Sequence, residues 1–153
     1  MSKQLIEKIR EHIVDYELKV LDAIEVFKYQ KDRYDINYTI AIGASDADID
    51  MSAFKGLIRK TDGFSYLEDN ICVMIFAFND ANQGIKAASN MLSKFEMQYF
   101  GKKIYLGMIN SQEEEKADKQ IKKLFETLCY GIENGMSNIP LDYDEISSMK
   151  ARG

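Results

Sequence analysis

An unbroken apolar run near the middle of the chain constrains the fold more than any other feature of the sequence. The run extends from Ile71 to Phe78 without the polar alternation of a half-exposed strand. Such a strand is covered on both faces, which places it inside a sheet rather than at an edge. A shorter strand-like run, Phe64 to Leu67, precedes it across the polar connection Glu68-Asp69-Asn70. A polar connection between apolar runs predicts a β-hairpin at this point.

The order of the remaining elements predicts an α+β fold with a ferredoxin-like sheet. Helical spacing of apolar residues alternates with β-branched strand runs in the order helix, βαββαβ, helix. Split βαβ units place their crossover helices on one face, so this order favours four antiparallel strands covered by helices. The predicted helices are a long N-terminal helix over about 4–31, one over about 51–60, one from Asn79 or Asp80 to about 99, and one from a cap at Ser111 to Gly135. The predicted strands are 36–43, 64–67, 71–78 and 103–109.

The chain length and the C-terminal sequence predict one domain. A chain of 153 residues is close to the commonest domain size of roughly 100–150 residues. Neither an internal repeat nor a linker-like stretch divides the sequence. Residues 1–140 are therefore expected to form a single domain, and the acidic segment 141–153 is expected to be a surface tail.

The composition argues against several classes of function. The chain has 20 basic and 25 acidic residues, so its net charge of −5 creates no overall field that attracts nucleic acid or an anionic membrane. The charged N-terminal residues do not resemble a signal peptide, and no apolar run approaches the roughly 18 residues of a membrane span. The cysteines and the single histidine lack zinc-binding spacing. We therefore expect a cytoplasmic protein without nucleic-acid or membrane partners.

The N-terminal helix carries more apolar residues than packing on one sheet requires. A helix that is apolar over a wide arc covers more than one flank of its own domain, or it leaves a patch that water disfavours. The helix has a second stripe of apolar residues. This stripe packs into the domain's own core, or it forms a symmetric homodimer, the commonest closed assembly of soluble proteins. This second stripe consists of Ile6, Val14, Leu18, Leu21 and Val26.

Several motifs resemble the GGDEF domain of diguanylate cyclases. In that family an Arg-x-x-Asp precedes a short strand, a glycine-rich acidic turn and a long apolar strand, and Arg59-Lys60-Thr61-Asp62 occupies the matching place here. Tyr105-Leu106-Gly107-Met108 is similar to the family's glycine-containing strand, and the segment from Leu124 to Asn138 is similar to its last helix and ending. The resemblance covers roughly residues 5–140 and implies the nucleotide-cyclase type of ferredoxin-like fold.

The resemblance also implies that the active-site turn is degenerate. Glu68-Asp69-Asn70-Ile71-Cys72 stands where the family has Gly-Gly-Asp-Glu-Phe. Acids thus replace the glycines that let a nucleotide approach, while Asn70 and Ile71 replace the catalytic acids. Either Asp46 or Asp48 matches the family's metal-binding acid after the first strand. We expect no catalytic residue and no cofactor, with magnesium required only if the turn still catalyses the reaction.

Arg59 and Asp62 allow two interpretations. In many active cyclases this motif binds cyclic di-GMP (c-di-GMP) as an inhibitor, because arginine presents planar donors to phosphate or guanine and aspartate accepts from the guanine edge. An aspartate at a helix-to-strand junction also satisfies backbone donors. The resemblance implies a catalytically inactive GGDEF-like module in bacterial signalling. Such a module would have a regulatory role or would bind a protein partner, whose identity the sequence does not give. The alternative is a receptor for c-di-GMP or another nucleotide through Arg59 and Asp62, while an active cyclase and an unrelated ferredoxin-like domain are weaker alternatives.

Overall fold

The structure, a computed structural model, describes residues 2–45, 49–77, 80–111 and 116–152. Within these ranges the chain forms six helices and five strands. In chain order they are α1 (Ser2–Glu11), α2 (Ile13–Tyr34), β1 (Tyr38–Ala44), α3 (Ser52–Lys55), β2 (Gly63–Glu68), β3 (Ile71–Ala77), α4 (Ala81–Gln98), β4 (Tyr105–Asn110), α5 (Ala117–Glu133), β5 (Pro140–Asp142) and α6 (Tyr143–Arg152).

The five described strands form one sheet in the order β2-β3-β1-β4-β5. The first four are antiparallel, with Ile40 of β1 opposite both Ile75 of β3 and Ile109 of β4. This order confirms the predicted α+β class and its ferredoxin-like sheet. The sheet has five strands rather than the predicted four, because β5 adds in parallel to β4 and sets Leu141 opposite Gly107.

Strand β3 is buried along its whole length, as its unbroken apolar sequence predicts. All seven residues from Ile71 to Ala77 are buried. Strands β2 and β1 pair with its two edges, so β3 lies inside the sheet. Phe78, the last residue of the predicted run, lies outside the described residues.

Two hydrophobic cores lie on opposite faces of the sheet. On one face the sheet packs against α1, α2 and α5, and the ring of Tyr16 in α2 stacks on that of Phe125 in α5 with centroids 6.5 Å apart. On the other face it packs against α3 and α4, where the rings of Phe54 and Phe95 stack with centroids 4.9 Å apart. The two crossover helices α3 and α4 therefore share one face, as split βαβ units require.

The N-terminal helix is interrupted once rather than continuous over 4–31. Helix α1 ends at Glu11 and α2 begins at Ile13, while His12 between them has non-helical backbone angles of φ −109° and ψ 18°. Helix α2 ends beyond the predicted boundary, at Tyr34, where Asp35 adopts the left-handed conformation. No helix in the described part of the chain combines the length and apolar character needed to span a membrane.

The C-terminal segment contradicts the prediction of a surface tail over 141–153. Pro140–Asp142 forms a strand of the sheet, and Tyr143–Arg152 forms a helix. Leu141 and Ile146 are buried, with 3% and 1% of their surfaces exposed. Leu141 packs over Gly131 of α5, where an added Cβ would lie 2.5 Å from the leucine Cδ1. Two buried residues give no periodic signal, so the sequence pattern does not reveal this strand and helix.

Candidate functional site

The β2–β3 hairpin brings the three predicted turn residues together at one end of the sheet. Glu68 ends β2 and Ile71 begins β3, so Asp69 and Asn70 form the connection. The register shifts between Tyr66 and Glu68, which leaves Leu67 as the extra residue of a β-bulge. Bulges bend a strand and re-aim its side chains. Here Leu67 is buried, Asp69 is exposed, and Glu68 and Asn70 are half-buried.

Both polar atoms of the Asn70 side-chain amide are hydrogen-bonded. Its Nδ2 donates to the Ser45 carbonyl oxygen at 2.8 Å, and its Oδ1 accepts from the Lys8 Nζ at 3.1 Å. The backbone adds a third link, since the Ser45 N–H donates to the Asn70 carbonyl at 3.1 Å. Asn70 therefore ties the turn both to the end of β1 and to helix α1.

Glu68 faces the N-terminal helices. The Tyr16 hydroxyl donates to Glu68 Oε1 at 3.2 Å, and the Lys19 Nζ donates to the neighbouring Leu67 carbonyl at 3.1 Å. Tyr16 is fully buried. Its burial, and then the negative charge and hydrogen bond of Glu68, raise the pKa of the Tyr16 hydroxyl well above its usual range. The phenol therefore stays protonated and donates to Glu68.

Magnesium does not fit the described residues of this turn. Mg²⁺ prefers carboxylate oxygens in near-octahedral geometry, but the Asn70 Oδ1 already accepts from the Lys8 ammonium. Ile71 is fully buried and offers only hydrocarbon. Among the described residues, no three His, Cys, Asp or Glu side chains form a group that could hold a metal ion. Asp46 and Asp48, the candidate acids after β1, lie outside the described residues.

Asp62 and Arg59 form a compact junction before β2. The Asp62 side chain is only 2% exposed. Its Oδ2 accepts from the Arg59 backbone N–H at 2.9 Å, and its Oδ1 accepts from the Ala77 N–H at 2.9 Å and from Arg59 Nη2 at 3.1 Å. Arg59 also donates to the Ala77 carbonyl. The Asp62 carboxylate thus satisfies backbone donors at the end of β3, which supports its structural interpretation.

A cleft of about 330 Å³ opens beside this junction, between residues 57–62 and helix α4. Arg59, whose side chain is 54% exposed, lies at its border. Helix α4 contributes Lys86, Asn90 and Lys94, which sequence analysis did not identify. Their spacing of four residues places them on one face of a helix, and this spacing is the signal that predicts their shared surface.

The second apolar stripe of the N-terminal helix is largely exposed. Val14 is 68% exposed, Leu18 is 61% exposed and Leu21 is 40% exposed, and Val26 is exposed as well. Ile6 is an exception, because it is only 7% exposed and belongs to the core beneath the helices. The prediction that Ile6 shares this stripe is wrong, because Ile6 lies in the core. It belongs to α1, whereas the other four residues belong to α2.

Three of these exposed side chains border a second, smaller cleft. It has a volume of about 160 Å³ and lies where α2 approaches α5. We call it the α2–α5 groove, and it is lined by Val14, Glu17, Leu18, Leu21, Asp118 and Ile121.

Solved GGDEF domains have a similar structure. The GGDEF domain of YfiN (TpbB) from Pseudomonas aeruginosa superposes with a TM-score of 0.63 at 9% identity, over 90% of this chain and 92% of that chain. The active GGEEF domain of a diguanylate cyclase from Vibrio cholerae gives 0.61 at 11% identity, over 76% and 88% of the two chains. The coiled coil and GGDEF domain of DgcB from Caulobacter crescentus, in complex with c-di-GMP, gives 0.61 at 11% identity, over 92% and 95%.

No protein-family model matches the chain, and no curated protein matches it. The structural similarity shows that the chain has the GGDEF-domain fold, as its motifs predicted.

Proposed function

We propose that this chain is a GGDEF-fold module of c-di-GMP signalling that binds partners and does not synthesise c-di-GMP. Solved domains of this fold include an active diguanylate cyclase domain and a domain in complex with c-di-GMP, which supports the signalling context. The cytoplasmic location expected from the composition belongs to the same proposal.

The observation that carries the proposal is the engaged side chain of Asn70. Lys8 and Ser45 hold the two ends of its amide, and the next residue, Ile71, is fully buried. A general base must lie within hydrogen-bond reach of the proton that it removes, about 2.6–3.2 Å. Neither an amide nor an alkyl side chain accepts that proton, so the two positions supply no base and no carboxylate for a metal.

Incubation of the purified protein with GTP and Mg²⁺, followed by chromatography, tests this proposal. The expected result is no c-di-GMP above a blank, while the active GGEEF domain from Vibrio cholerae provides the positive control. Product that disappears in an Asp69→Ala or Asp46→Ala variant would overturn the proposal.

A second candidate function is nucleotide binding in the cleft beside Arg59. Three cationic side chains, Arg59, Lys86 and Lys94, line this cleft together with the amides of Gln83 and Asn90. Guanidinium and ammonium groups bind phosphate, and arginine also stacks on flat rings. Asp62 orients Arg59 in this proposal and does not contact the ligand, since its carboxylate is buried against the backbone.

Thermal denaturation with and without c-di-GMP tests the receptor function. A ligand at 100 times its dissociation constant stabilises the folded state by about 2.7 kcal/mol. We expect Arg59→Ala and Lys94→Ala to reduce this stabilisation, and the neighbouring exposed Lys60→Ala to preserve it as a matched control. The receptor function is wrong if c-di-GMP leaves the melting temperature unchanged, or if all three variants respond alike.

Partner binding through α2 is supported by the exposure of Val14, Leu18 and Leu21. A symmetric homodimer stays a prediction, and a different protein is the alternative occupant of the stripe. Light scattering at high micromolar concentration distinguishes the two occupants. Only a homodimer would show twice the mass of one chain, and a Leu18→Glu/Leu21→Glu variant should then return to the mass of the monomer.

A further inference from the structure

The α2–α5 groove is apolar along its base and acidic on its sides. Val14, Leu18 and Leu21 follow one another at intervals of four and three residues, the spacing of a helix-packing seam. Ile121 of α5 completes the apolar base, and Glu17 and Asp118 contribute carboxylates. The volume of about 160 Å³ suits an apolar side chain inserted from outside.

More acidic residues flank the seam along α2. Asp15, Asp22 and Glu25 are exposed, and they stand three residues before, four after and seven after Leu18. Residues at these intervals share one face of a helix. The nearby Lys19 pairs with Asp15 at 3.3 Å and donates to the Leu67 carbonyl, so Asp15 already has a cation within the chain.

This distribution of charge disfavours a second copy of the chain as the occupant. Parallel pairing of two α2 helices along the seam sets Asp15, Glu17 and Asp22 beside the same acids of the partner. Antiparallel pairing centred on Leu18 sets Asp15 beside Leu21 and Asp22 beside Val14, so both carboxylates meet apolar side chains. Like charges side by side, and carboxylates against apolar side chains, destabilise a helix pair, whereas opposite charges on the flanks select a partner.

We propose that the α2–α5 groove binds an amphipathic helix of another protein that carries lysine or arginine on both sides of its apolar face. A leucine or similar residue of that helix enters the groove between Leu18 and Ile121. Its cations lie along Glu17 and Asp118 on one side and along Asp22 on the other. This is helix-in-groove recognition, and it rests on the partner-binding role proposed above.

A designed peptide tests the inference with the intact chain. The probe is a fluorescein-labelled peptide of about 18 residues, long enough to form a helix, with leucines at helical spacing and lysines on both flanks. The matched peptide keeps the leucines and replaces the lysines with glutamates. We expect fluorescence anisotropy to show saturable binding of the lysine peptide, weakening with salt, and at least about tenfold weaker binding of the glutamate peptide.

Paired charge reversals locate the binding surface. The Glu17→Lys/Asp118→Lys variant should bind the lysine peptide at least about tenfold more weakly than the wild type. The control Glu96→Lys/Glu145→Lys changes the net charge equally at exposed sites on α4 and α6 and should preserve binding. Leu18→Ser should also weaken binding, and because this side chain is 61% exposed the fold should persist in circular dichroism.

Three outcomes would overturn the inference. They are no binding of the lysine peptide at high micromolar concentration, equal loss in both charge-reversed variants, and a homodimer that the Leu18→Ser change abolishes. The GTP assay is a separate readout. Synthesis of c-di-GMP would contradict the proposed lack of catalysis but would not affect the interpretation of peptide binding. If the lysine peptide does not bind, the conclusion about catalysis is unchanged.

Discussion

Lys8 of α1 donates a hydrogen bond to Asn70 of the hairpin turn at 3.1 Å, and so joins two positions that are 62 residues apart. Tyr16 of α2 makes a second such link to Glu68, the residue at the other side of the turn. The N-terminal helices and the hairpin turn therefore form one packed unit. Substitutions on either side of these contacts should act on the stability of the whole domain.

Loss of the Asn70 side chain should destabilise the protein. Asn70→Ala removes the donor to the Ser45 carbonyl and the acceptor for Lys8, and we expect the free energy of unfolding in urea to fall by about 1–3 kcal/mol. The exposed neighbour provides a matched control, since Asp69→Ala should change it by less than about 0.5 kcal/mol. Equal effects of the two substitutions would contradict the proposed role of the amide.

Stability should decline at alkaline pH in a way that depends on Tyr16. Burial raises the pKa of the Tyr16 phenol above its unfolded value of about 10, so the folded state keeps a proton that the unfolded state releases. The free energy of unfolding therefore falls as the pH rises above about 10, by at most about 1.4 kcal/mol per pH unit for this group. Burial also raises the pKa of Tyr38 and of Cys72, each to about 12, and both add to this loss.

Comparison of two tyrosine variants isolates that contribution. Tyr16→Phe should make the decline of stability between pH about 10 and 11 less steep, because a phenylalanine has no proton to release. Tyr34→Phe, at a position that is 61% exposed, should leave the decline as in the wild type. An unchanged decline in Tyr16→Phe would show that this hydroxyl is not protected by burial.

Substitution by alanine should have different effects on stability at two strand glycines. A Cβ on Gly107 of β4 would lie 2.9 Å from the Leu128 backbone nitrogen of α5, so Gly107→Ala should push the helix away and cost about 1–3 kcal/mol. A Cβ on Gly43 of β1 would meet its nearest atom, in the Leu106 side chain, at 3.6 Å, an ordinary contact. Gly43→Ala should therefore be neutral or stabilise by up to about 1 kcal/mol. Urea denaturation compares them, and a larger loss in Gly43→Ala would contradict the packing of α5.

The C-terminal segment should contribute to the stability of the domain. Leu141 is 3% exposed and packs over Gly131, so Leu141→Ala should lower the free energy of unfolding by about 2–5 kcal/mol. Ile139, two residues earlier, is 44% exposed, and Ile139→Ala should have a much smaller effect. A neutral Leu141→Ala would restore the prediction of a surface tail.

Much of the fold was predictable because its signals are local. The apolar run of β3 predicted a strand inside the sheet, and Asp80 was correctly predicted as one of two possible caps of α4, where its side chain accepts from the Gln83 backbone N–H at 2.8 Å. The α+β class and the βαββαβ order followed from the same kind of pattern.

The details of the candidate sites depend on contacts between distant segments. The sequence showed that Asn70 and Ile71 replace acids, but nothing local indicates that Lys8 reaches the Asn70 amide. The exposure of residues in the N-terminal helices was also not predictable from the sequence. Ile6 and Val14, on opposite sides of the break at His12, are both apolar, yet only Val14 is exposed. The face that each half of the helix buries is set by its packing on the sheet.

The hairpin turn, held by Lys8 and Ser45, should not bind a magnesium nucleotide. The most direct measurement follows the Asn70 side-chain amide and the Asp69 backbone amide by nuclear magnetic resonance in isotope-labelled protein during titration with GTP and Mg²⁺. Both signals should keep their positions up to millimolar nucleotide. A saturable shift of these signals that requires Mg²⁺ would contradict this prediction, because the turn would then bind the nucleotide and its metal.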